Sequence, residues 1–302
     1  MTNFKCFSSP RYFAPLPDRH PFPMNKFMDS ARRLVDDGTL LPSEIIDPGL
    51  IEEEDLLRVH THEYVQSIAN GNYFGITKRK LGLPWSPELN TRSRTAAAGT
   101  MRATEAAGQS GISCNLAGGT HHAFPDHGEG YCVFNDIAIA VKKLHIIKPS
   151  SKILIVDLDA HQGNGTHFIL GKEERVFTFS MHVGANYPSQ KIPGTQDIEL
   201  ERYVQGDIYL EKLQETLPHI LSQFEPDYVF YIAGVDVHKD DRFGQMHLST
   251  KDMAQRDGFV ISAVRQQKLP IVVVYGGGYN KNQDVTTELH CQTVRIAKSF
   301  AD

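Results

Sequence analysis

Five short apolar runs separated by helical patterns constrain this chain more than any other feature. The runs are Ile112–Ala117, Lys152–Leu158, Val176–Ser180, Tyr228–Ala233 and Ile271–Tyr275. They are rich in β-branched or aromatic residues and mostly lack polar alternation, which is the pattern of strands buried on both faces. Helical spacing fills the intervals. Phe27–Asp36 stops at Gly38, Thr95–Ala107 is alanine-rich and ends before Gly108, and Asp136–Leu144 and Tyr209–Phe224 are amphipathic. Pro218 is expected to kink the last of these. Ser249 with Asp252 three residues later resembles a capping box opening Lys251–Gln267. Alternating strands and helices predict an α/β fold, a central, mostly parallel sheet covered by helices on both faces. Asn72–Leu89 and Gly184–Thr195 read as loops. No repeat or linker divides the chain, so residues 1–302 read as a single domain.

Composition narrows the function. Hydrophobic residues make up 40% and charged residues 22%, enough apolar material for a globular core. The net charge of -5 argues against gripping nucleic acid by bulk charge. No run reaches the ~18 apolar residues of a membrane span, and the N-terminus lacks the apolar stretch of a signal peptide. Cys6, Cys114, Cys132 and Cys291 are scattered without a C-x-x-C pair, so they read as free thiols in a reducing, cytoplasmic setting.

Ligands of open α/β sheets bind beyond the carboxyl ends of the strands, so the residues after each run matter most. These are Gly118-Gly119-Thr120-His121-His122, then Asp157-Leu158-Asp159-Ala160-His161, then Gly234-Val235-Asp236, then Gly276-Gly277-Gly278-Tyr279. In an extended segment, residues two apart share a side. Carboxylates crowded there are costly to desolvate unless a cation neutralises them. Asp159 and His161, with Asp236 as a third donor, would make a site with an open position. One imidazole and two carboxylates suit Zn²⁺, and Fe²⁺ stays open on ligand type alone. A divalent cation acidifies water, but hydrolysis still needs a base and an acid, which adjacent imidazoles can supply. Asp157 and Asn164 are the plausible orienting partners of His121 and His122. Tyr279, after three glycines, could donate to a developing oxyanion.

These motifs together resemble the zinc-dependent histone deacetylase family, of the arginase/deacetylase fold. The resemblance runs from His20-Pro21-Phe22 through Val59-His60-Thr61 to Gly278-Tyr279 and is closest to the class IV branch. It implies Asp159, His161 and Asp236 as metal ligands and His122 as general base and acid. It also implies His121 as electrostatic partner, Asp157 and Asn164 as orienting residues, and Tyr279 as carbonyl-polarising donor. A K⁺ ion is implied at Asp157 and Ser180. The substrate tunnel would involve Tyr131, Gly277 and Gly278, with Ile192 the nearest candidate for a second wall. Asn164 stands where class I members have aspartate. The substrate implied is acylated lysine in proteins or peptides. The lack of an evident second aromatic wall leads to the expectation that acyl chains longer than acetyl are also accepted. An acetylpolyamine or other small amide is the main alternative, and a silent acyl-lysine reader is a lesser one. Gly163 and His238 stand where the arginase type has two further aspartates, so one metal is the better count.

Overall fold

A computed structural model describes residues 4–73 and 79–301; residues 74–78 of the predicted Asn72–Leu89 loop lie outside them. Strands β1 (Lys5–Phe7), β2 (Ile45–Ile46), β3 (Ile112–Asn115), β4 (Ile153–Asp157), β5 (Val176–Val183), β6 (Gln196–Leu200), β7 (Tyr228–Ile232) and β8 (Ile271–Val274) form one sheet. Their order is β2-β1-β3-β8-β7-β4-β5-β6. Every pair is parallel. All the strands therefore deliver their carboxyl ends to one rim. The helices are α1 (Lys26–Asp36), α2 (Glu53–Leu56), α3 (His62–Asn70), α4 (Pro87–Ser110), α5 (Asp136–Ile147), α6 (Asn164–Leu170), α7 (Gly206–Phe224), α8 (Thr250–Gln266) and α9 (Gln283–Ser299).

Successive strand residues point to opposite faces, and the two faces build separate cores. Leu154, Val156, Val229, Tyr231, Ile271 and Val273 pack in a core shared with α1, α7, α8 and α9. Ile153, Ile155, Phe230, Ile232, Val272 and Val274 meet α4 and α5 on the other side. Both faces are buried, which is why these runs carry no polar alternation. Each fully buried Val, Leu, Ile or Phe contributes roughly 1.5–3 kcal/mol. Buried carboxylates at the strand ends are therefore exceptions that need a chemical reason.

The five predicted strands form, and three more join them. β6 reads Gln-Asp-Ile-Glu-Leu and lies at the sheet edge, where its polar residues are only partly buried. β1 and β2 are too short to stand out as runs. Helix α4 extends well beyond the predicted Thr95–Ala107: Ser86 caps it, Pro87 opens it, and it passes Gly108 to end at Gly111. Helix α7 runs unbroken through Pro218. The capping box opens α8 as predicted, with Ser249 Oγ accepting from Asp252 N–H and Asp252 Oδ2 accepting from Ser249 N–H.

Candidate active site

Strand β4 ends at Asp157, between β5 and β7, and pairs in register with Ser180 and Ile232. The alternation continues past the strand end. Asp159 and His161 follow in a loop where His161 Nδ1 lies 3.0 Å from Asp159 Oδ1 and 2.9 Å from Asp236 Oδ2. Asp236 arrives from the loop after β7, and its Oδ1 accepts the Ala160 N–H. One donor atom from each of these three buried residues lies within 4.8 Å of the others. Asp157 does not join them; its Oδ2 is 2.7 Å from His121 Nδ1.

The charges in this trio do not balance. Burial opposes ionisation of Asp159, but His121 and His161 outweigh it and hold the carboxyl well below its usual range. Burial also opposes the charged form of His161, yet the two carboxylates raise its pKa well above normal. Asp236 is pushed up to about 7 by burial and by Asp159. A surplus carboxylate among converging oxygen and nitrogen donors is a set that a divalent cation fits.

The two histidines sit after β3, their rings 4.1 Å apart. Asp136, at the start of α5, anchors the turn that carries them by accepting from the Gly119 and Thr120 N–H groups. Burial disfavours charge on His121, but Asp157 and Asp159 prevail and push its pKa up to about 9. Burial drives His122 the other way, well below its ordinary value, and the His121 and His161 charges add to the fall. Its Nδ1 is 2.8 Å from Asn164 Oδ1. The pair thus holds one cationic and one neutral imidazole side by side.

Tyr279 is placed by its backbone: its N–H donates to Asp241 and its carbonyl accepts from Arg242 Nε at 2.7 Å. Burial, then Asp159 and Asp236, raise its phenol well above the usual range, so it keeps its proton as a donor. The glycines before it allow close approach. A Cβ on Gly277 would lie 2.2 Å from Asp236 Oδ2, and the Gly277 N–H donates to Asp159 Oδ2 at 2.6 Å.

A cavity of about 360 Å³ reaches this centre, lined among others by His122, His161, Tyr131, Tyr187, Phe243 and Tyr279. Tyr131 is a non-glycine residue with φ 66°, held by its N–H bond to the Leu81 carbonyl. A conformation this uncommon at a cavity wall is retained because the surrounding contacts fix it. The facing wall corrects the sequence reading. Ile192 does not line the cavity; its N–H donates to Gln162 and its carbonyl pairs with His167 Nδ1. Tyr187 stands there instead, edge-on to His122 at 5.0 Å between centroids. The Pro193-Gly194-Thr195 turn leads into β6, so the sequence signal marked the turn and not the wall. The passage has two aromatic walls, and the reason for expecting longer acyl chains falls with Ile192. Gly277 borders a smaller inner pocket of about 30 Å³, whereas Gly278 borders neither space and packs against Val235 and Thr286. Ser180 faces Asp157 in register, but its Oγ bonds His182 Nδ1 at 2.9 Å.

Sequence reasoning also missed the residues that stiffen the site. Lys26 and Arg92 are buried beside the inner pocket, with Lys26 Nζ donating to the Gly276 carbonyl. His60 Nδ1–H donates to the Phe124 carbonyl, and its Nε2 accepts the Asn135 N–H, both at 3.0 Å. It thereby ties down the loop that follows His122. Burial lowers its pKa from 6.5 to about 4. Between those values the unfolded chain binds the proton and the folded chain does not. Stability is therefore full above pH 6.5 and falls as the pH drops towards 4, by roughly 3 kcal/mol from this group. Denaturant unfolding of wild type and His60→Gln from pH 7 to 4.5 is expected to give a shallower pH slope for the variant; parallel slopes would refute the assignment.

The comparisons with known proteins agree with this geometry. The family described as "Histone deacetylase domain" matches residues 20–295. An uncharacterized protein of Picosynechococcus sp. is 42% identical over 279 residues, spanning 92% of this chain and 93% of that protein. Histone deacetylase 2 of Arabidopsis thaliana is 30% identical over 272 residues, 87% of this chain and 70% of its own. In fold, the chain is similar to the crystal structure of an HDAC homolog from Aquifex aeolicus, with a TM-score of 0.82 at 23% identity, covering 99% of this chain and 84% of that one. A parallel sheet with a buried Asp-His-Asp group and a histidine pair at its rim, matched by that family over most of its length, places the chain in the histone deacetylase family.

Proposed function

We propose that this histone deacetylase-family hydrolase removes acetyl groups from the side-chain amine of lysine in proteins. The carrying observation is the passage between Tyr131 and Tyr187, leading to His122, His161 and Tyr279. Aromatic walls suit the alkyl stem of lysine, with the amide presented at the inner end. When bound by Asp159, His161 and Asp236, a divalent cation, Zn²⁺ or Fe²⁺, would supply Lewis-acid polarisation and acidify the attacking water. His122 is the base, because burial and its charged neighbours keep it neutral. Asn164 receives its Nδ1–H, which leaves Nε2 to take the proton from water and then return it to the departing amine. Tyr279 donates to the oxyanion as the carbonyl becomes tetrahedral. His121, held charged by Asp157, stabilises negative charge accumulating nearby. A K⁺ ion beside Asp157 and Ser180 is part of the same reading; both side chains keep oxygen lone pairs beyond the hydrogen bonds they make. Four buried free cysteines support a reducing, cytoplasmic setting.

The small-molecule alternative is an acetylated polyamine, whose remaining ammonium groups would want carboxylates at the mouth. Besides His161 at the inner end, the cationic residues lining the cavity are Lys80 and Arg242, and its lining holds no carboxylate among the described residues. That favours lysine in a peptide. A reader protein would need neither base nor oxyanion donor. The inner pocket of about 30 Å³ is far smaller than the outer cavity of about 360 Å³, which favours a short acyl group over a long one. Acetate release from acetyl-lysine peptides by the metal-loaded protein is expected to exceed that from acetylated polyamines. It should exceed hexanoyl-lysine turnover by at least about tenfold in kcat/KM. Faster turnover of the polyamine would move the assignment to small molecules, and equal turnover of hexanoyl would remove the size argument.

A further inference from the structure

The carboxylate of Glu129 is 4% exposed, in the loop just before Gly130-Tyr131, and the reaction as described does not use it. Four groups converge on it, three of them from distant parts of the chain. Tyr187 Oη donates to Oε1 at 2.8 Å, and Asn164 Nδ2 donates to the same oxygen at 3.3 Å. Lys80 Nζ donates to Oε2, and His127 Nε2 lies 3.6 Å from it. An ionised carboxylate only accepts, so it dictates the orientation of every partner.

We propose that Glu129 is a positioning residue for the base: it fixes the Asn164 amide so that Oδ1 faces His122 Nδ1, and it pins Tyr187 as the wall beside the same imidazole. This rests on the proposed deacetylase reading. The logic is one of donors and acceptors. Asn164 could present either end of its amide to His122. With Glu129 behind it, the NH₂ end must face the carboxylate and the carbonyl end must face the ring. His122 then carries its proton on Nδ1, and Nε2 keeps its lone pair for water. One acidic side chain thus selects the tautomer through Asn164 and sets the aromatic wall through Tyr187. The arrangement also accounts for an amide at position 164. An aspartate there would bring two buried carboxylates to within about 3.3 Å, a contact that carries a like-charge penalty.

A double-variant cycle tests this with two readouts. In steady-state hydrolysis of an acetyl-lysine peptide, Glu129→Ala is expected to lower kcat about tenfold, and Glu129→Gln, which keeps an acceptor, to recover most of it. Asn164→Asp alone should lower both kcat and the melting temperature, the latter by about 5 °C. Adding Glu129→Gln to Asn164→Asp should then raise both, because it removes the repelling charge. A residue with a merely structural role would instead worsen the Asn164→Asp protein. The inference is overturned if Glu129→Ala keeps wild-type kcat, or if the double variant melts no higher than Asn164→Asp. Should the wild-type protein hydrolyse no acetyl-lysine peptide, the deacetylase reading fails, while the melting temperatures still decide whether Glu129 and position 164 are coupled.

Discussion

Tyr279→Phe is expected to lower kcat for acetyl-lysine hydrolysis by about 10²–10³-fold while changing KM little. The substitution removes one oxygen and leaves the ring among Phe22, Tyr131 and Phe243, at centroid distances of 6.2, 5.9 and 5.2 Å. The backbone anchors on Asp241 and Arg242 do not involve the phenol, so the residue stays in place. What goes is a donor that burial and nearby carboxylates keep protonated. A donor aimed at charge that develops only in the transition state contributes to kcat, and losing one costs roughly 3–4 kcal/mol. Steady-state kinetics on the metal-loaded variant, with metal content checked, reads this directly. A kcat within tenfold of wild type would mean that the oxyanion is stabilised elsewhere; a change confined to KM would make Tyr279 a binding residue.

How much of this was legible in the sequence follows from which forces act locally. Strands buried on both faces write themselves as continuous apolar runs, so β3, β4, β5, β7 and β8 were readable and their rim with them. Edge strand β6 keeps polar residues because one side meets solvent, and its Gln-Asp-Ile-Glu-Leu does not stand out as an apolar run. The metal-binding candidates were legible for a related reason: Asp159, His161 and Asp236 are charged or polar residues directly after apolar runs, where only chemistry justifies them. The second cavity wall was not. Tyr187 lies in a segment with no periodicity, and only packing against His122 and the bond to Glu129 give it a position. Glu129 was invisible because its partners Lys80, Asn164 and Tyr187 are 35 to 58 residues away in sequence. Long-range polar networks leave no local pattern.

Asp236→Asn should cost the protein its divalent cation and its activity while making the metal-stripped fold more stable. Around His161 there are two carboxylates, and burial with the Asp159 charge pushes Asp236 up to about 7. His121 and His161 balance Asp157 and Asp159, which leaves Asp236 as the surplus negative charge. Its carboxyl is easier to protonate in the folded chain than in the unfolded one. Its contribution is therefore present below about pH 4 and lost as the pH rises through about 7. At pH 8 the metal-free wild type bears that penalty in full, and an amide of the same shape does not. Asparagine can still accept the Ala160 N–H that Asp236 Oδ1 holds at 3.0 Å. The amide nitrogen that replaces Oδ2, 2.9 Å from His161 Nδ1, cannot accept its proton and offsets part of the gain. The stripped variant is expected to be more stable by roughly 1–3 kcal/mol at pH 8, with the difference shrinking towards pH 5. With metal the order reverses, because binding to the folded state alone stabilises only the protein that binds. Wild type should gain melting temperature with added Zn²⁺, the variant should gain almost none, and its turnover should fall by at least about 10³-fold. Denaturant unfolding after chelation, with and without added Zn²⁺, separates the two effects. A stripped variant less stable than stripped wild type would show that Asp236 is held by its hydrogen bonds and not strained by its charge. A variant that still gains stability from Zn²⁺ would remove Asp236 from the ligand set.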